Sequence, residues 1–283
     1  MKAENRSIHK ASWVGKKIYY YEEIDSTNME AKRKAKEGAV SGTVIAADMQ
    51  SAGKGRRGRS WSSPLGEGIF FSILLKPDIL PENAPMITLI KAMAVVRGIE
   101  RVTGLKPQIK WPNDVVLSQK KLVGILTEMS IQKNSIDYIV VGTGINVHQK
   151  EFPKEIADTA TSLDLELAQR KAQRTADMPD LSETGKESGE GVSRRELLEA
   201  VLGEFEYYYE RYLKTQDLST IMEEYNSLLV NRNRSVRVLD PLGEYEGVAQ
   251  GINERGELLV ERNGKIEKIS SGEVSVRGIY GYV

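Results

Sequence analysis

The chain has 283 residues, with 40 Lys and Arg balanced by 40 Asp and Glu, no cysteine and two histidines. Zero net charge provides no global field toward nucleic acid or membrane, and the missing thiols exclude disulfides, thiolate zinc sites and cysteine nucleophiles. No apolar stretch reaches membrane-spanning length and the polar start, Met1–Gly15, has no signal-peptide core, so a cytoplasmic protein with one large and one small domain is expected.

In chain order, residues 1–16 form a polar lead, and Lys17–Ile24 reads as a strand rich in aromatics. Thr27 and Glu30 have capping-box spacing and open a short helix that stops near Gly38. Gly42–Ala47 is a second strand and leads into Ser51–Trp61, SAGKGRRGRSW. Gly53–Arg59 packs four cations and three glycines into seven positions. Glycine lets the backbone approach a ligand closely, and the interleaved Lys and Arg supply charge-assisted hydrogen bonds to oxyanions. Alone, such a loop reads as a solvated basic patch or a nucleic-acid contact.

Gly68–Leu75 is a continuous apolar run, expected as a buried central strand. From Ala84 to Val102 apolar residues cover most faces of a helix, which Gly104 and Pro107 end. Short strands follow at Gln108–Trp111, Val115–Leu117, Leu122–Ile131 and Ile136–Val147, with a hairpin turn at Asn134-Ser135. Antiparallel strands with helices that do not alternate strictly predict an α+β fold. Residues 168–192 read as a mobile insertion. Two amphipathic helices come next, their core stripes beginning at Leu198 and at Leu218. Residues 233–283 hold five short strands between turns, the pattern of a small closed barrel after a 17–232 main domain.

Five clusters carry the chemistry: Asp25-Ser26-Thr27-Asn28; Gln50 with the basic loop; Lys110-Trp111-Pro112-Asn113-Asp114; the run Lys121–Glu128, KLVGILTE; and the run Gly142–Val147, GTGINV. Singly they read as a helix cap, a basic loop, a tight turn, surface lysines and a relaxed strand end. The glycines of the last cluster lack a third partner and a following helix, so they are no dinucleotide fingerprint. In this order, from about Tyr20 to Val147, the clusters resemble the catalytic domain of biotin protein ligases.

That resemblance implies an α+β mixed-sheet domain related to lipoate ligases and class II aminoacyl-tRNA synthetases, followed by an SH3-like β-barrel. It implies ATP-dependent activation of biotin to biotinyl-5′-AMP, then transfer to a lysine of a biotin carboxyl carrier protein. Ser26, Thr27, Asn28, Gln50, Lys54, Gly55, Arg56 and Lys121 would bind biotin. Arg56, Arg59, Trp61, Asn113 and Asn146 would bind ATP or the adenylate. Lys121, Arg56, Lys110 and Asp114 would act in catalysis, with Mg²⁺ accompanying ATP and its ligands unassigned. Lys54 stands where many members of the family have Arg, which keeps the charge but loses the bidentate fork.

The chemistry agrees with the composition. Biotin's own carboxylate is the nucleophile, so the protein must supply positioning and cations rather than Cys or His. The family includes longer forms with a helix-turn-helix repressor domain. Only 24 residues precede Asp25, so a plain ligase without a nucleic-acid partner is expected, as monomer or homodimer. A lipoate-protein ligase is the near alternative, disfavoured by the cationic loop and KWPND. An RNA- or DNA-binding protein using residues 54–59 is the alternative from another class, disfavoured by the zero net charge.

Overall fold

The computed structural model describes residues 4–6, 13–177, 191–240, 243–271, 275–278 and 282–283. Its larger sheet is built from β1 (Glu4–Arg6), β2 (Ile18–Ile24), β3 (Val44–Gln50), β4 (Gly68–Leu75), β5 (Gln108–Lys110), β6 (Asp114–Leu117), β7 (Lys120–Gln132) and β8 (Ser135–Asn146). The spatial order is β1-β2-β3-β4-β8-β7-β6-β5. Among the described residues β2 and β3 are the one parallel strand pair, so the sheet is mixed and mostly antiparallel.

The apolar run at Gly68–Leu75 is central, as its composition predicts: every residue of β4 is buried. One face carries α1 (Thr27–Lys36), whose Ala31 and Ala35 settle against Ile45, Leu74 and Val140. The other face carries α2 (Met86–Thr103), which is buried almost all round, as a helix without a polar face must be. Gly104 closes it in the left-handed conformation (φ 66°), its N–H donating to Glu100 O. Next are α3 (Leu163–Asp177), α4 (Arg194–Thr215) and α5 (Met222–Leu228), with α4 completing the core through Leu197, Val201, Phe205 and Tyr209.

The C-terminal strands are β9 (Arg234–Leu239), β10 (Tyr245–Ile252), β11 (Leu258–Arg262), β12 (Lys265–Ile269) and β13 (Ser275–Gly278). They form a second, antiparallel sheet in the order β12-β11-β10-β9-β13. It is fastened to the first unit by specific bonds. Trp111 Nε1 donates to Gly256 O at 3.1 Å, and Asn226 bonds Ile252 N at 2.7 Å and Ile252 O at 3.2 Å.

Four local expectations are corrected. The β7–β8 turn lies at Lys133-Asn134, with φ 48° and 66°, because a two-residue turn that matches strand twist needs positive φ at both positions; Ser135 is already in β8. Ser26, not Thr27, is the N-cap of α1, and Glu30 bonds Tyr21 and Arg33 instead of closing a capping box. Residues 168–177 of the expected mobile insertion belong to α3. Ala, Gln, Arg and Lys favour a helix without a wide apolar face, and Leu163 anchors its start in the core. Residues 178–190 of that expectation lie outside the described residues. The second amphipathic helix is shorter than its stripe, because α5 begins at Met222. No helix among the described residues is long and apolar enough to cross a membrane.

Candidate active site

The site sits where β2 turns into α1, β3 runs out into the basic loop, and β7 pairs with β8. Gly124 of β7 lies opposite Gly144 of β8, which leaves a floor without side chains. Trp61 lies on that floor: a Cβ on Gly124 would come 2.6 Å from its Cζ3, and one on Gly144 2.5 Å from its Nε1. Two alanines here would displace the indole.

A cavity of about 50 Å³ opens at this floor. Ser26, Thr27, Asn28, Gln50, Lys54, Gly55, Arg56 and Lys121, the whole set expected to hold biotin, line it together with Trp61, Asn113 and Thr143. Although Ser26 is the N-cap, its hydroxyl makes no capping bond, so it is not spent on the helix. Gln50 Oε1 accepts from Thr27 N at 2.9 Å, while Gln50 Nε2 donates to Ser63 Oγ at 2.9 Å. Two buried polar atoms at this site, Trp61 Nε1 and Thr143 Oγ1, have no hydrogen-bond partner. Buried donors and acceptors are normally satisfied, so both are open to a polar ligand.

A second cavity, about 680 Å³, shares Trp61 and Lys121 with the first and adds Arg59, Lys110, Asp114 and Asn146. Arg277 and Tyr282 of the C-terminal part also line it. Asp114 organises its cations: Oδ1 pairs with Lys121 Nζ at 2.7 Å, and Oδ2 accepts from Tyr282 OH at 2.5 Å. Lys110 Nζ sits 3.3 Å from the Tyr282 ring centroid, a cation–π contact. Burial brings the Lys110 ammonium pKa down to about 8, against the pull of Asp114, and the nearby Lys121, Arg277 and Arg59 lower it further. Burial and the Asp114 carboxylate push the Tyr282 phenol far up. Arg56 links the two regions, donating to Asn113 Oδ1 at 3.0 Å and to Ser271 O at 2.9 Å. Burial lowers its pKa too.

The basic loop is pinched into shape. Gly55 N donates to Arg59 O at 2.7 Å, and Arg57 and Gly58 both take positive φ, 57° and 72°. Every residue expected at the site thus falls on one of the two adjoining cavities. Sequence reasoning missed Ser72 and Glu128, which bond Asn28 from behind, and Tyr282 and Arg277. Glu128 stood in a motif already singled out, whereas nothing local announces a contact such as Tyr282 to Asp114, 168 positions apart.

A polar pocket that includes Lys54, Arg56 and Lys121 adjoins a second cavity lined by Arg59, Lys110 and Arg277, on a mixed sheet with an added antiparallel sheet, which is the setting of an α+β protein built to receive an anionic ligand. Residues 20–146 match the biotin/lipoate A/B protein ligase family, and residues 233–277 match the biotin protein ligase C-terminal domain. The chain belongs to this family. It is 35% identical over 271 residues to the bifunctional ligase/repressor BirA of Bacillus subtilis, covering 94% of this chain and 76% of that protein. To the biotin–[acetyl-CoA-carboxylase] ligase of Mycobacterium tuberculosis it is 29% identical, over 88% of this chain and 85% of that one. The structure of Aquifex aeolicus biotin protein ligase with biotin and ATP superposes with a TM-score of 0.75 at 30% identity, covering 92% of this chain and 98% of that one.

Proposed function

We infer that this protein is an ATP-dependent biotin–protein ligase. The observation that carries the reading is that all eight residues expected around biotin line one cavity, which adjoins the cation-lined one. Biotin's carboxylate oxygen attacks the α-phosphorus of ATP, the bond to the β-phosphate oxygen breaks, and pyrophosphate leaves. The amine of a carrier-protein lysine then attacks the acyl carbon, loses its proton, and AMP departs.

Ser26, Thr27, Asn28 and Gln50 would meet the polar ring system. Lys54, Gly55 and Arg56 would close over the carboxylate and the adenylate phosphate. Lys121 and Lys110 would neutralise oxyanion charge as it develops. Asp114 would hold Lys121 and Tyr282 in place, and Asn113 and Asn146 would shape the nucleotide end. Trp61 lines both cavities and would separate the ring system from the nucleotide.

Asp114 is committed to Lys121 and Tyr282. Magnesium would accompany ATP, ligated chiefly by phosphate oxygens and water. A third cavity, about 710 Å³, reaches Arg56 and Asn113 from the other side and carries Asp240 and Glu244, carboxylates suited to an incoming lysine ammonium. ATP and a carboxylase subunit as co-substrates fit a cytoplasmic enzyme. Mass spectrometry of protein incubated with Mg·ATP and either biotin or lipoate tests the reading. Retained biotinyl-5′-AMP and a biotinylated carrier domain are expected; a lipoyl adenylate, or ATP turnover without biotin, overturns it.

A further inference from the structure

The eight-residue motif Lys121–Glu128 ends on a carboxylate that the reaction above does not use. Glu128 Oε1 pairs with Lys32 Nζ at 2.6 Å, and Oε2 accepts from Asn28 Nδ2 at 2.8 Å. The Asn28 amide nitrogen also reaches Leu126 O at 3.3 Å. Both neighbours are acceptors only, so the orientation of the amide is settled. Its oxygen is turned toward Ser72 Oγ at 2.6 Å. The amide fits because position 142 is glycine, where a Cβ would stand 2.0 Å from Asn28 Oδ1.

Ser72 is fully buried and has one proton for two neighbours, Asn28 Oδ1 at 2.6 Å and Thr27 Oγ1 at 2.8 Å. An amide oxygen donates nothing, so the Ser72 proton goes to Asn28. The hydroxyl of Thr27 then gives its own proton to Ser72 rather than to the more distant Gln50 Oε1 at 3.1 Å. On the other side, Gln50 is held by Ser63 through its Nε2, which fixes its oxygen toward Thr27. The result is two acceptor oxygens, Thr27 Oγ1 and Gln50 Oε1, side by side on the wall of the small cavity. Gln50 Oε1 already takes the Thr27 N–H at 2.9 Å, and the lone pairs left on the two touching oxygens call for a donor from outside.

We propose that Glu128 is a positioning residue: acting through Asn28 and Ser72, it sets the Thr27 and Gln50 oxygens as a paired acceptor for one ureido N–H of biotin. This rests on the biotin reading above. Lys32 holds the carboxylate in place at 2.6 Å, and the Asn28 amide passes that orientation on to Ser72.

The test is titration calorimetry and steady-state kinetics on the full chain with Glu128→Ala, Ser72→Ala and the double variant. Wild type should bind biotin. Each single variant should lose about tenfold in biotin affinity, the upper scale of one net hydrogen bond, with KM for biotin rising and kcat and KM for ATP within twofold. Because both substitutions break one chain, the double variant should lose no more than the weaker-binding single one. Biotin methylated on either ureido nitrogen provides the discriminating readout. One of the two isomers should bind wild type and Glu128→Ala equally weakly, having no N–H left to lose. Should Glu128→Ala fail to fold, Ser72→Ala carries the same comparison. Wild type that binds no biotin defeats the biotin reading. Wild type that binds it while the variants bind equally well defeats the proposal alone. Additive losses, or an equal further loss with both methylated isomers, reduce Glu128 to a packing role.

Discussion

Two lysines of the same cavity do different work because their surroundings differ. Lys121 keeps a partly exposed head, its side chain 27% accessible and paired with Asp114. Removing it leaves Asp114 bonded to Tyr282, so the fold is little disturbed. Lys121→Ala should lower the rate of adenylate formation by about 10²–10³-fold, as loss of a preorganised oxyanion donor does, while the melting temperature moves little. Pyrophosphate release measured beside a thermal melt checks this, and a variant with wild-type rate would show Lys121 to be a surface residue. Lys110 is buried against Tyr282, and its pKa of about 8 makes its charge conditional. The ammonium is present below that pH and lost as pH rises through it, so kcat/KM for ATP should fall on the alkaline side. Lys110→Arg keeps its charge throughout and should carry activity further up in pH. Identical alkaline limbs in the two proteins would remove Lys110 from phosphate neutralisation.

Helix α2 shows how far an element can be read from its own residues. Its limits and its burial follow from a local apolar run with Gly104 at the stop, and the central β4 follows from eight apolar or small residues in succession. What the pattern hides is Lys91. It is wholly buried, its Nζ lacks a hydrogen-bond partner, and it lies 4.1 Å from the Phe71 ring and 5.0 Å from Phe205. A lysine in a helix normally announces a solvated face, and only the packing of α4 over α2 reverses that. The α1 cap misled for a related reason. The Thr27–Glu30 spacing was right for a box, but Tyr21 and Arg33 from neighbouring turns of structure claim Glu30 first. Burial drives the Lys91 pKa well down, so the unfolded chain binds a proton near pH 10 that the folded one refuses. Stability therefore rises as pH climbs toward that value and is lowest where only the unfolded state gains charge. Lys91→Met, of similar length and without the amine, should stabilise by about 1–4 kcal/mol, the range seen when buried charged groups give way to packed apolar ones. Denaturant melts at neutral and alkaline pH check it: the gain should be largest at neutral pH and shrink as pH rises. A destabilised variant would mean that the amine is held by the two rings.

At the scale of the molecule, the C-terminal sheet was legible as a unit of its own and illegible as part of the site. Its short strands and turns are local signals, whereas its docking depends on contacts between residues far apart in sequence. Trp111 reaches Gly256, Asn226 brackets Ile252, Arg56 reaches Ser271, and Tyr282 covers Lys110 while bonding Asp114. Among the described residues none beyond Gly144 lines the small cavity, yet Val276, Arg277 and Tyr282 line the adjoining cavity of about 680 Å³. The C-terminal part should therefore serve the nucleotide and not the biotin ring. Cutting the chain near Arg232 is a poor test, since it also strips the bonds to Asn226 and Trp111. Tyr282→Ala is the sharper one. It deletes the ring over Lys110 and the bond to Asp114, together worth about 1–3 kcal/mol, so KM for ATP should rise by roughly tenfold or more on that scale. Biotin affinity should stay within twofold of wild type. Removing the ring also lets water reach Lys110, and since burial is the main cause of its lowered pKa, the alkaline limb should move to higher pH in this variant. Calorimetry with biotin and a pH series of pyrophosphate release read both effects from one preparation. If biotin affinity falls in step with ATP affinity, the C-terminal sheet holds the whole site together and the division between ring recognition and nucleotide binding is wrong.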